Sequence, residues 1–408
     1  MEIISDLQIH SRYSRATSKE INIENLEKYA RIKGINLLGT GDFQHPLWNK
    51  EIKEKLKEDD KGILRTKTGF AFLWQTEVSL VYSIDGKRRA VHLLIFSPNT
   101  KISDEIIEYL KTKGRIDYDG RPIFGINAKA FVRDLKNIDD RIEIIPAHAF
   151  TPWFGVFGSK SGFNSLKECF GEETKNIHAI ESGMSADPEM AWRLPEIASG
   201  QINVVSFSDA HSFWPWRLGR EATIFDIPEL SYENIIKAIR TGNGLKATIE
   251  TPPEYGKYHW DGHRSCNFSC GPEKTRELKK ICPVCGNILT IGVEHRVEEI
   301  SSEKKGFKPK NAKPFYKILP LHEIISLAFG TPLESNICWK EYNALIEKFD
   351  NEFNILLKVE KESFIRENID YKLIEFILKN REGKIKVIPG YDGEYGRAVI
   401  LDKQLTLD

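Results

Sequence analysis

Seven short apolar runs in the first 211 residues each end on a side chain that can bind a divalent metal ion. In order, the runs are Ile3 to His10, Ile35 to Asp42, Phe70 to Glu77, Ala90 to His92, Ile142 to His148, Ile177 to Glu181 and Val204 to His211. A strand that ends on His, Asp or Glu places that group at one rim of a sheet, and strands wound into a barrel bring such rims together. The pattern therefore predicts a domain built around a site for several metal ions.

The apolar runs alternate with helical patterns up to about residue 250, which favours a parallel α/β architecture. The alternation stops at Thr251-Pro-Pro. A short segment rich in turns and cysteines follows, and helical periodicity returns in 320–329, 339–357 and 371–379. We therefore predict three domains, which are an α/β barrel over 1–250, a four-cysteine module over 251–295 and a mainly helical C-terminal domain over 296–408.

Charge is unevenly distributed along the chain. The formal net charge is zero, but residues 257–317 carry a net charge of +6. No apolar run has the length of a membrane span, and no charged segment followed by an apolar run marks a secretory signal. Four of the six cysteines occur as two close pairs, which favours metal binding over disulfides. We expect a cytoplasmic protein of a prokaryotic cell.

The residues at the ends of the runs suit hard or borderline divalent ions, which bind imidazole and carboxylate groups. Glu77 has two carboxylate oxygens and can bridge two ions. Asp209 and His211 alternate along the chain, so an extended backbone points both side chains to the same side. Glu181 is better interpreted as lining a substrate pocket or supporting a ligand than as a ligand itself.

Six motifs occur in order through the first domain: Asp6-Leu-Gln-Ile-His-Ser-Arg-Tyr-Ser14, Gly41-Asp-Phe43, Gln75-Thr-Glu77, Val91-His-Leu-Leu94, Pro146-Ala-His148 and Ser208-Asp-Ala-His211. They resemble the successive motifs of the polymerase and histidinol phosphatase (PHP) superfamily. The resemblance implies a distorted seven-stranded β/α barrel that hydrolyses phosphoesters with up to three metal ions.

The resemblance also implies a ligand set at the matching positions: His10, Asp42, Glu77, His92, His148, Asp209 and His211. Two positions depart from the superfamily pattern. Gln8 stands where the first His of a His-x-His pair is expected, and Phe43 replaces the His that usually follows Asp42. We therefore expect a reduced set of two firmly held ions, which could be Zn2+, Mg2+ or Mn2+.

Such ions can generate hydroxide and stabilise the leaving oxygen, so no side-chain nucleophile is needed. Asp209, His10 and Glu77 are the predicted catalytic residues, and Asp209 is the substitution that we expect to abolish turnover. Arg220 could clamp a phosphate with two hydrogen bonds or simply form a surface ion pair. Trp153 and Trp214 each follow a predicted ligand closely, so they could stack on a base or pack the barrel.

The segment after residue 251 contains Cys266-x3-Cys270, eleven further residues, and then Cys282-Pro-Val-Cys285-Gly. This spacing predicts a tetrahedral site of four thiolates with one structural Zn2+. In a Cys-Pro-x-Cys-Gly turn, backbone N–H groups approach the sulfur atoms, and the glycine permits the turn. A structural zinc would stabilise a segment too small to form a core. His259 and His263 are left out of this predicted set, since four thiolates complete it.

A lysine-rich stretch follows the cysteines, without an intervening acid: Lys304, Lys305, Lys308, Lys310, Lys313 and Lys317. A run of lysines is often only a solvated surface. Beside a zinc module and a phosphoesterase barrel, it favours contact with nucleic-acid phosphates, with Lys304, Lys305, Lys308 and Lys310 as the leading candidates.

The arrangement of these parts over essentially the whole chain resembles the endonuclease Q family. The resemblance implies a repair endonuclease that cuts DNA on the 5′ side of uracil, hypoxanthine, xanthine or abasic sites, with damaged DNA as partner. Two alternatives stay open, which are a small-molecule phosphatase of the PHP type and a non-catalytic, zinc-containing DNA-binding protein. A repair nuclease could also bind a sliding clamp, but the sequence carries no convincing contact motif for one.

Overall fold

In the computed structural model, which describes residues 1–399, strands and helices alternate through the first 250 residues. The strands are β1 (Glu2–Asp6), β2 (Leu37–Gly39), β3 (Lys57–Glu58), β4 (Leu64–Arg65), β5 (Ala71–Leu73), β6 (Gln75–Ile84), β7 (Lys87–Phe96), β8 (Ile123–Phe124), β9 (Glu143–Pro146), β10 (Ala179–Glu181), β11 (Asn203–Val205), β12 (Ala222–Asp226), β13 (Leu245–Glu250), β14 (Asp261–His263), β15 (Phe268–Cys270), β16 (Phe315–Lys317), β17 (Lys386–Ile388) and β18 (Arg397–Val399). Residues 400–408, the end of the predicted C-terminal domain, lie outside the described residues.

The helices cover the sheets and form most of the chain after residue 320. They are α1 (Ile23–Lys33), α2 (Pro46–Lys55), α3 (Thr100–Lys113), α4 (Ala128–Ile138), α5 (Leu166–Phe170), α6 (Pro188–Ala191), α7 (Pro195–Ala198), α8 (Tyr232–Thr241), α9 (Pro272–Glu277), α10 (Val293–Ile300), α11 (Leu321–Phe329), α12 (Asn336–Phe349), α13 (Glu352–Leu357), α14 (Lys361–Arg366) and α15 (Tyr371–Arg381). Among the described residues, no helix combines the length and the apolar character that crossing a membrane requires.

Two sheets and a separate strand pair form the N-terminal part. The larger sheet has the strand order β16-β13-β12-β1-β2-β5-β4-β3, and the smaller one has the order β8-β6-β7-β9. The strands β10 and β11 pair in parallel, and a single parallel bridge between Ile9 and Ala210 connects the segments that follow β1 and β11. Within residues 1–399 these strands do not close into one hydrogen-bonded sheet. The predicted α/β class is confirmed, whereas the predicted seven-stranded barrel is not.

The strands β6 and β7 form one long antiparallel hairpin. The apolar runs instead predict two separate strands that end at Glu77 and at His92. The turn is Asp85-Gly86, with φ angles of 50° and 72°, as expected for the tight turn that joins twisted strands. Glu77 and His92 consequently lie inside the hairpin. Glu77 pairs with Leu94 and His92 pairs with Ser79, so the two side chains are diagonal neighbours on one face.

The C-terminal helices pack on the N-terminal part through a shared core and one buried ion pair. Lys33, at the end of α1, is 1% exposed, and its Nζ lies 2.5 Å from Glu352 Oε1 at the start of α13. Glu352 also accepts hydrogen bonds from the Leu321 backbone at 2.9 Å and from the Tyr342 hydroxyl at 2.9 Å. One carboxylate therefore connects α1, α11, α12 and α13.

We predict that Glu352→Ala lowers the free energy of unfolding by about 3 kcal/mol, because the substitution leaves the Lys33 ammonium buried without its partner. Urea denaturation followed by circular dichroism would measure the change. Glu54→Ala removes a comparable pair with Lys50 at the surface, 3.8 Å apart, and should change the stability by less than about 1 kcal/mol. Equal effects of the two variants would contradict the prediction.

A second buried carboxylate generates a prediction about pH. Glu250, at the end of β13, is fully buried and accepts hydrogen bonds from the Ser182 and Ser206 hydroxyls at 3.0 Å. Burial raises the pKa of Glu250 from 4.5 to about 8. The folded protein therefore holds a proton that the unfolded chain releases above pH 4.5, and folding stability falls as the pH rises from about 4.5 to about 8.

Glu250→Gln keeps the shape of the protonated carboxyl group and removes this dependence. We expect the variant to be at least about 1 kcal/mol more stable than the parent at pH 8 and nearly unchanged at pH 5, in urea titrations at both values. Greater stabilisation at pH 5 than at pH 8 would contradict the assignment of a protonated Glu250. The exposed Glu54→Gln variant serves as the control.

Candidate metal centre

Six of the predicted ligands come together in two groups of three. His10, Asp209 and His211 form one group, and Glu77, His92 and His148 form the other. Within each group, the atoms that could bind an ion lie within 4.8 Å of one another. The first group comes from the segments after β1 and β11, and the second from the β6–β7 hairpin and the segment after β9. Each group provides the imidazole and carboxylate donors that divalent ions bind.

The carboxylate of Glu77 joins the two groups. Its Oε2 lies 3.2 Å from His10 Nε2, and its Oε1 lies 2.7 Å from His92 Nδ1 and 3.4 Å from His148 Nε2. His10 Nε2 is also 3.1 Å from Asp209 Oδ1. The arrangement places a fully buried carboxylate between two sets of imidazoles, as a bridging ligand would be.

Asp42 lies behind His10, and protein donors occupy both of its oxygens. Its Oδ1 is 3.0 Å from His10 Nδ1, while its Oδ2 accepts hydrogen bonds from the Ser11 backbone at 2.6 Å and the Ser14 hydroxyl at 3.0 Å. A carboxylate that holds one nitrogen of an imidazole fixes the ring and leaves the other nitrogen for a metal ion. Asp42 is therefore placed to orient His10.

Three residues of the centre have a left-handed backbone, which is rare for residues other than glycine. The φ angles are 42° at Asp42, 30° at His148 and 49° at Asp209. Such conformations cost on the order of 1–3 kcal/mol each and concentrate at functional sites. They turn the chain sharply where the strands end, so that the side chains face the centre.

The centre favours positive charge. Burial alone lowers the pKa of His10, but the charge of Asp42 and the hydrogen bonds that the ring donates to Asp209 and Glu77 outweigh it and raise that pKa well above its usual value. Burial, reinforced by the charge of Arg121, lowers the pKa of His92 to about 3, so this ring is neutral and keeps a lone pair for a ligand bond. This donor set fits bound divalent cations.

Arg121 is a residue of the centre that the sequence analysis missed. Its Nη1 lies 3.3 Å from Glu77 Oε1. Burial raises the pKa of Glu77, but Arg121 and the neighbouring histidines outweigh it and hold that pKa well below its usual range. Arg121 lies in a turn between α3 and β8, outside any predicted motif, so the local sequence carried no signal for it.

The two departures from the superfamily pattern have distinct structural roles. Gln8 is fully buried, and its Nε2 donates a hydrogen bond to Glu77 Oε2 at 2.9 Å, while its Oε1 has no partner in the described residues. Phe43 is also fully buried and contacts Trp74 edge to face, with ring centroids 5.8 Å apart. Gln8 therefore positions Glu77, and Phe43 belongs to the core.

Glu181 supports the backbone of His148. Its carboxylate accepts hydrogen bonds from the His148 backbone N–H and, at 2.7 Å, from that of Gly183. Burial raises the pKa of Glu181 to about 8. These contacts agree with its interpretation as a residue that supports a ligand.

In the cysteine module, the structure groups His263 with three of the four cysteines. His263 Nδ1 lies 3.3 Å from Cys285 Sγ, and the four-residue group that could hold an ion is His263, Cys266, Cys282 and Cys285. Cys270 Sγ instead lies 3.2 Å from the hydroxyl of Thr275. The β14–β15 pairing explains the difference, because it places Cys270 opposite Asp261, while His263 lies beside the turn that carries Cys266.

The turn around Cys282 has the geometry that its sequence predicts. Burial raises the pKa of the Cys282 thiol, but backbone N–H groups of Cys285 and Val284 and the His263 side chain outweigh it and lower that pKa to about 6. Gly286 has a φ angle of 75°, as the turn requires. A thiolate is thus stabilised at a position suited to zinc.

The predicted DNA-contacting residues differ in their exposure. Trp153 is 42% exposed and contacts Tyr258 edge to face, whereas Trp214 stacks on Trp216 with ring centroids 5.6 Å apart and is partly buried. Arg220 is 9% exposed, and its Nε donates to the backbone oxygen of Ser208 at 3.0 Å. The four lysines proposed to contact phosphates are all exposed: Lys304, Lys305, Lys308 and Lys310. Arg220 is therefore not a surface ion pair.

The α/β sheets and the paired ligand groups define the chain as an α/β protein with a candidate site for divalent metal ions. Solved structures of related proteins cover almost all of it. The lesion-specific endonuclease PfuEndoQ from Pyrococcus furiosus matches with a TM-score of 0.87 and 32% identity, over 100% of this chain and 98% of that one. Endonuclease Q in complex with a 27-mer duplex substrate with an abasic lesion at its active site matches with a TM-score of 0.88 and 32% identity, over 99% and 98% of the two chains. The chain belongs to the endonuclease Q family.

Two further similarities cover less. Residues 320–384 match the family model of the MJ0043 C-terminal domain. An uncharacterised protein, MJ0043 of Methanocaldococcus jannaschii, is 30% identical over 362 residues, which are 86% of this chain. The match spans only 43% of the length of that curated relative.

We predict that His263→Asn and Cys285→Ser each lose about one equivalent of zinc per chain, because a tetrahedral structural site needs all four ligands. Cys270→Ser should keep that equivalent. Elemental analysis of the purified proteins against the parent would measure the loss. Loss of zinc from Cys270→Ser together with retention by His263→Asn would restore the four-thiolate set.

Proposed function

We propose that the chain is a DNA repair endonuclease that hydrolyses the phosphodiester on the 5′ side of deaminated bases or abasic sites. The substrate bases would be uracil, hypoxanthine and xanthine. The observation that carries the proposal is the pair of ligand groups joined by Glu77, in a chain that belongs to the endonuclease Q family. The related complex with an abasic duplex supports DNA as the substrate class.

In this proposal, two divalent ions would be held, one by His10, Asp209 and His211 and the other by Glu77, His92 and His148. Zn2+, Mg2+ and Mn2+ all accept these donors. Such ions would activate water at neutral pH and neutralise the phosphate and the leaving oxygen. A structural Zn2+ would be held by the group of His263 with three cysteines. Support comes from the imidazole, carboxylate and thiolate donor sets.

The remaining chemistry falls to the residues of the centre. Asp209, His10 and Glu77 are the proposed catalytic residues. Asp42 fixes the ring of His10. The hydroxyl of Thr151 lies 3.0 Å from His148 Nδ1 and fixes that ring, so that its Nε2 faces His92. These contacts fix the side chains before substrate binds, so that little reorganisation is needed during the reaction.

We further propose a separate role for each of the three parts of the chain. The N-terminal residues 1–250 act as a distorted barrel, for which the Ile9–Ala210 bridge and the convergence of the ligands are the support. Residues 251–295 form the zinc module, and residues 296–408 bind DNA. Exposed Trp153 stacks on a base exposed by flipping, with Trp214 in a supporting role, while Arg220 and the lysines at 304, 305, 308 and 310 neutralise backbone phosphates. Such an enzyme acts in the cytoplasm of a prokaryotic cell, at the nucleoid.

We predict that Asp209→Ala reduces nicking by at least about a hundredfold, because a ligand and a catalytic carboxylate are lost together. The assay uses end-labelled duplexes with uracil, hypoxanthine, an abasic site or no lesion, each with Mg2+, Mn2+ or Zn2+. Chelation of the metal should abolish nicking by the parent. Asp60→Ala, in an exposed turn, is the matched control and should cut like the parent.

Three results would contradict the proposal in different ways. Nicking that is equal in the parent and in Asp209→Ala places the activity elsewhere. Hydrolysis of free phosphomonoesters without DNA binding favours a small-molecule phosphatase. DNA binding by a parent that retains no metal in its N-terminal part favours a non-catalytic binding protein.

A further inference from the structure

A group of cationic side chains surrounds Tyr395 at the surface, away from the metal ligands themselves. The guanidinium of Arg217 lies 5.7 Å from the centre of the Tyr395 ring, and Lys257 Nζ lies 4.5 Å from it. Burial raises the pKa of the Tyr395 phenol, but the charges of Arg220, Lys257 and Arg217 outweigh it and lower that pKa. We call Arg217, Arg220, Lys257 and Tyr395 the tyrosine–cation cluster.

The cluster holds positive charge that the protein leaves uncompensated. Within residues 1–399, none of its three cations forms an ion pair with a carboxylate oxygen inside 4.0 Å. Arg220 is 9% exposed, and its buried Nη1 has no hydrogen-bond partner in the described residues. A buried guanidinium N–H without an acceptor is costly, which indicates a ligand that supplies one.

Glu323 is a nearby carboxyl group. Burial raises its pKa, although Tyr255, Arg217 and Arg220 lower it. Within residues 1–399, Glu323 forms no ion pair inside 4.0 Å with a cation of the cluster.

The position of the cluster relates it to the metal centre. Arg220 donates from Nε to the backbone oxygen of Ser208, the residue before Asp209. Tyr258, next to Lys257, contacts Trp153, which lies in the segment after His148. The cluster thus borders the centre through two separate segments.

The turn 390–396 brings Tyr395 to this place. Gly390 N donates to Glu254 O at 2.8 Å, and Gly396 N donates to Tyr255 O at 3.0 Å. A Cβ atom at Gly396 would lie 2.1 Å from Glu254 O, and one at Gly390 would lie 2.3 Å from Gly256 O, so both positions require glycine. The glycine-rich segment near the end of the chain is therefore built to dock Tyr395 over Lys257.

We propose that the tyrosine–cation cluster binds a backbone phosphate of the DNA strand next to the one that is cut. In this proposal, Arg217 and Lys257 supply positive charge to the phosphate, and the Tyr395 hydroxyl donates a hydrogen bond to it. Arg220, which is more buried, contacts the same phosphate from the protein side. This inference rests on the proposed function. A phosphate contact anchors the strand and carries no sequence information, so it acts equally on damaged and intact duplexes.

The test measures binding apart from cleavage, by fluorescence anisotropy of labelled duplexes with the proteins in the Asp209→Ala background, over a series of salt concentrations. Each lost phosphate contact lowers the slope of log affinity against log salt by about 0.9. Arg217→Gln and Lys257→Gln should each weaken binding about threefold or more and reduce this slope, by the same factor for abasic and intact duplexes. Tyr395→Phe, which removes only the hydroxyl, should weaken binding without changing the slope.

Lys67→Gln is the matched control, because Lys67 is exposed in the turn before β5, at the opposite end of the parallel strands. It should leave the affinity and the slope unchanged. Slopes of Arg217→Gln and Lys257→Gln equal to that of the parent, in variants with the parent's circular dichroism, would overturn the cluster while leaving the nuclease proposal intact. A loss of affinity confined to the abasic duplex would also overturn it, since that result indicates base recognition. Absence of DNA binding by the parent would reject the proposed function itself.

Discussion

The carboxylate of Glu77 carries its charge in the protein interior, where leaving water costs an ion several kcal/mol. Its two oxygens have the contacts that offset this cost, with His10, His92, His148 and the amide of Gln8 around them. Arg121 adds a further positive charge at 3.3 Å. Because the β6–β7 hairpin carries Glu77 and the flanking segments carry its partners, the centre forms only when these separate parts of the chain fold together.

The same requirement explains the strained turns. Asp42, His148 and Asp209 have a left-handed backbone, and each turn brings a side chain from the end of a strand toward Glu77 or its neighbours. The strain is held by contacts behind the ligands, such as those of Ser11 with Asp42 and of Glu181 with the His148 backbone. Substitutions behind the centre should therefore alter ligand geometry without removing a ligand.

The sequence predicts well which side chains lie together in the candidate site. It predicts less well which strands, turns and long-range contacts place them there. The order of the motifs predicts six side chains that the structure brings together in two groups. So many imidazoles and carboxylates directly after apolar runs are typical of a metal site. The apolar runs do not take account of the Asp85-Gly86 turn, so they place Glu77 and His92 at strand ends. Predicted helix 339–357 divides at Asp350, where φ is 75° although the apolar spacing continues. The position of Arg121 and the grouping of His263 with three cysteines depend on contacts between distant segments, which local spacing does not encode.

The C-terminal residues are integrated into the chain as a whole. Strand β16 extends the large sheet by pairing with β13, so the lysine-rich segment before it is fixed to the N-terminal part. The zinc-type module contacts the turn 390–396, since Trp260 N donates to Gly390 O at 2.9 Å. Lys33 and Glu352 connect α1 to the terminal helices. The basic segment, the cysteine module and the terminal turn are therefore each connected to the N-terminal part or to one another. Under the proposed function, a DNA strand bound by these parts would be held in a fixed relation to the candidate metal ligands, which is a condition for rapid hydrolysis of one chosen phosphodiester.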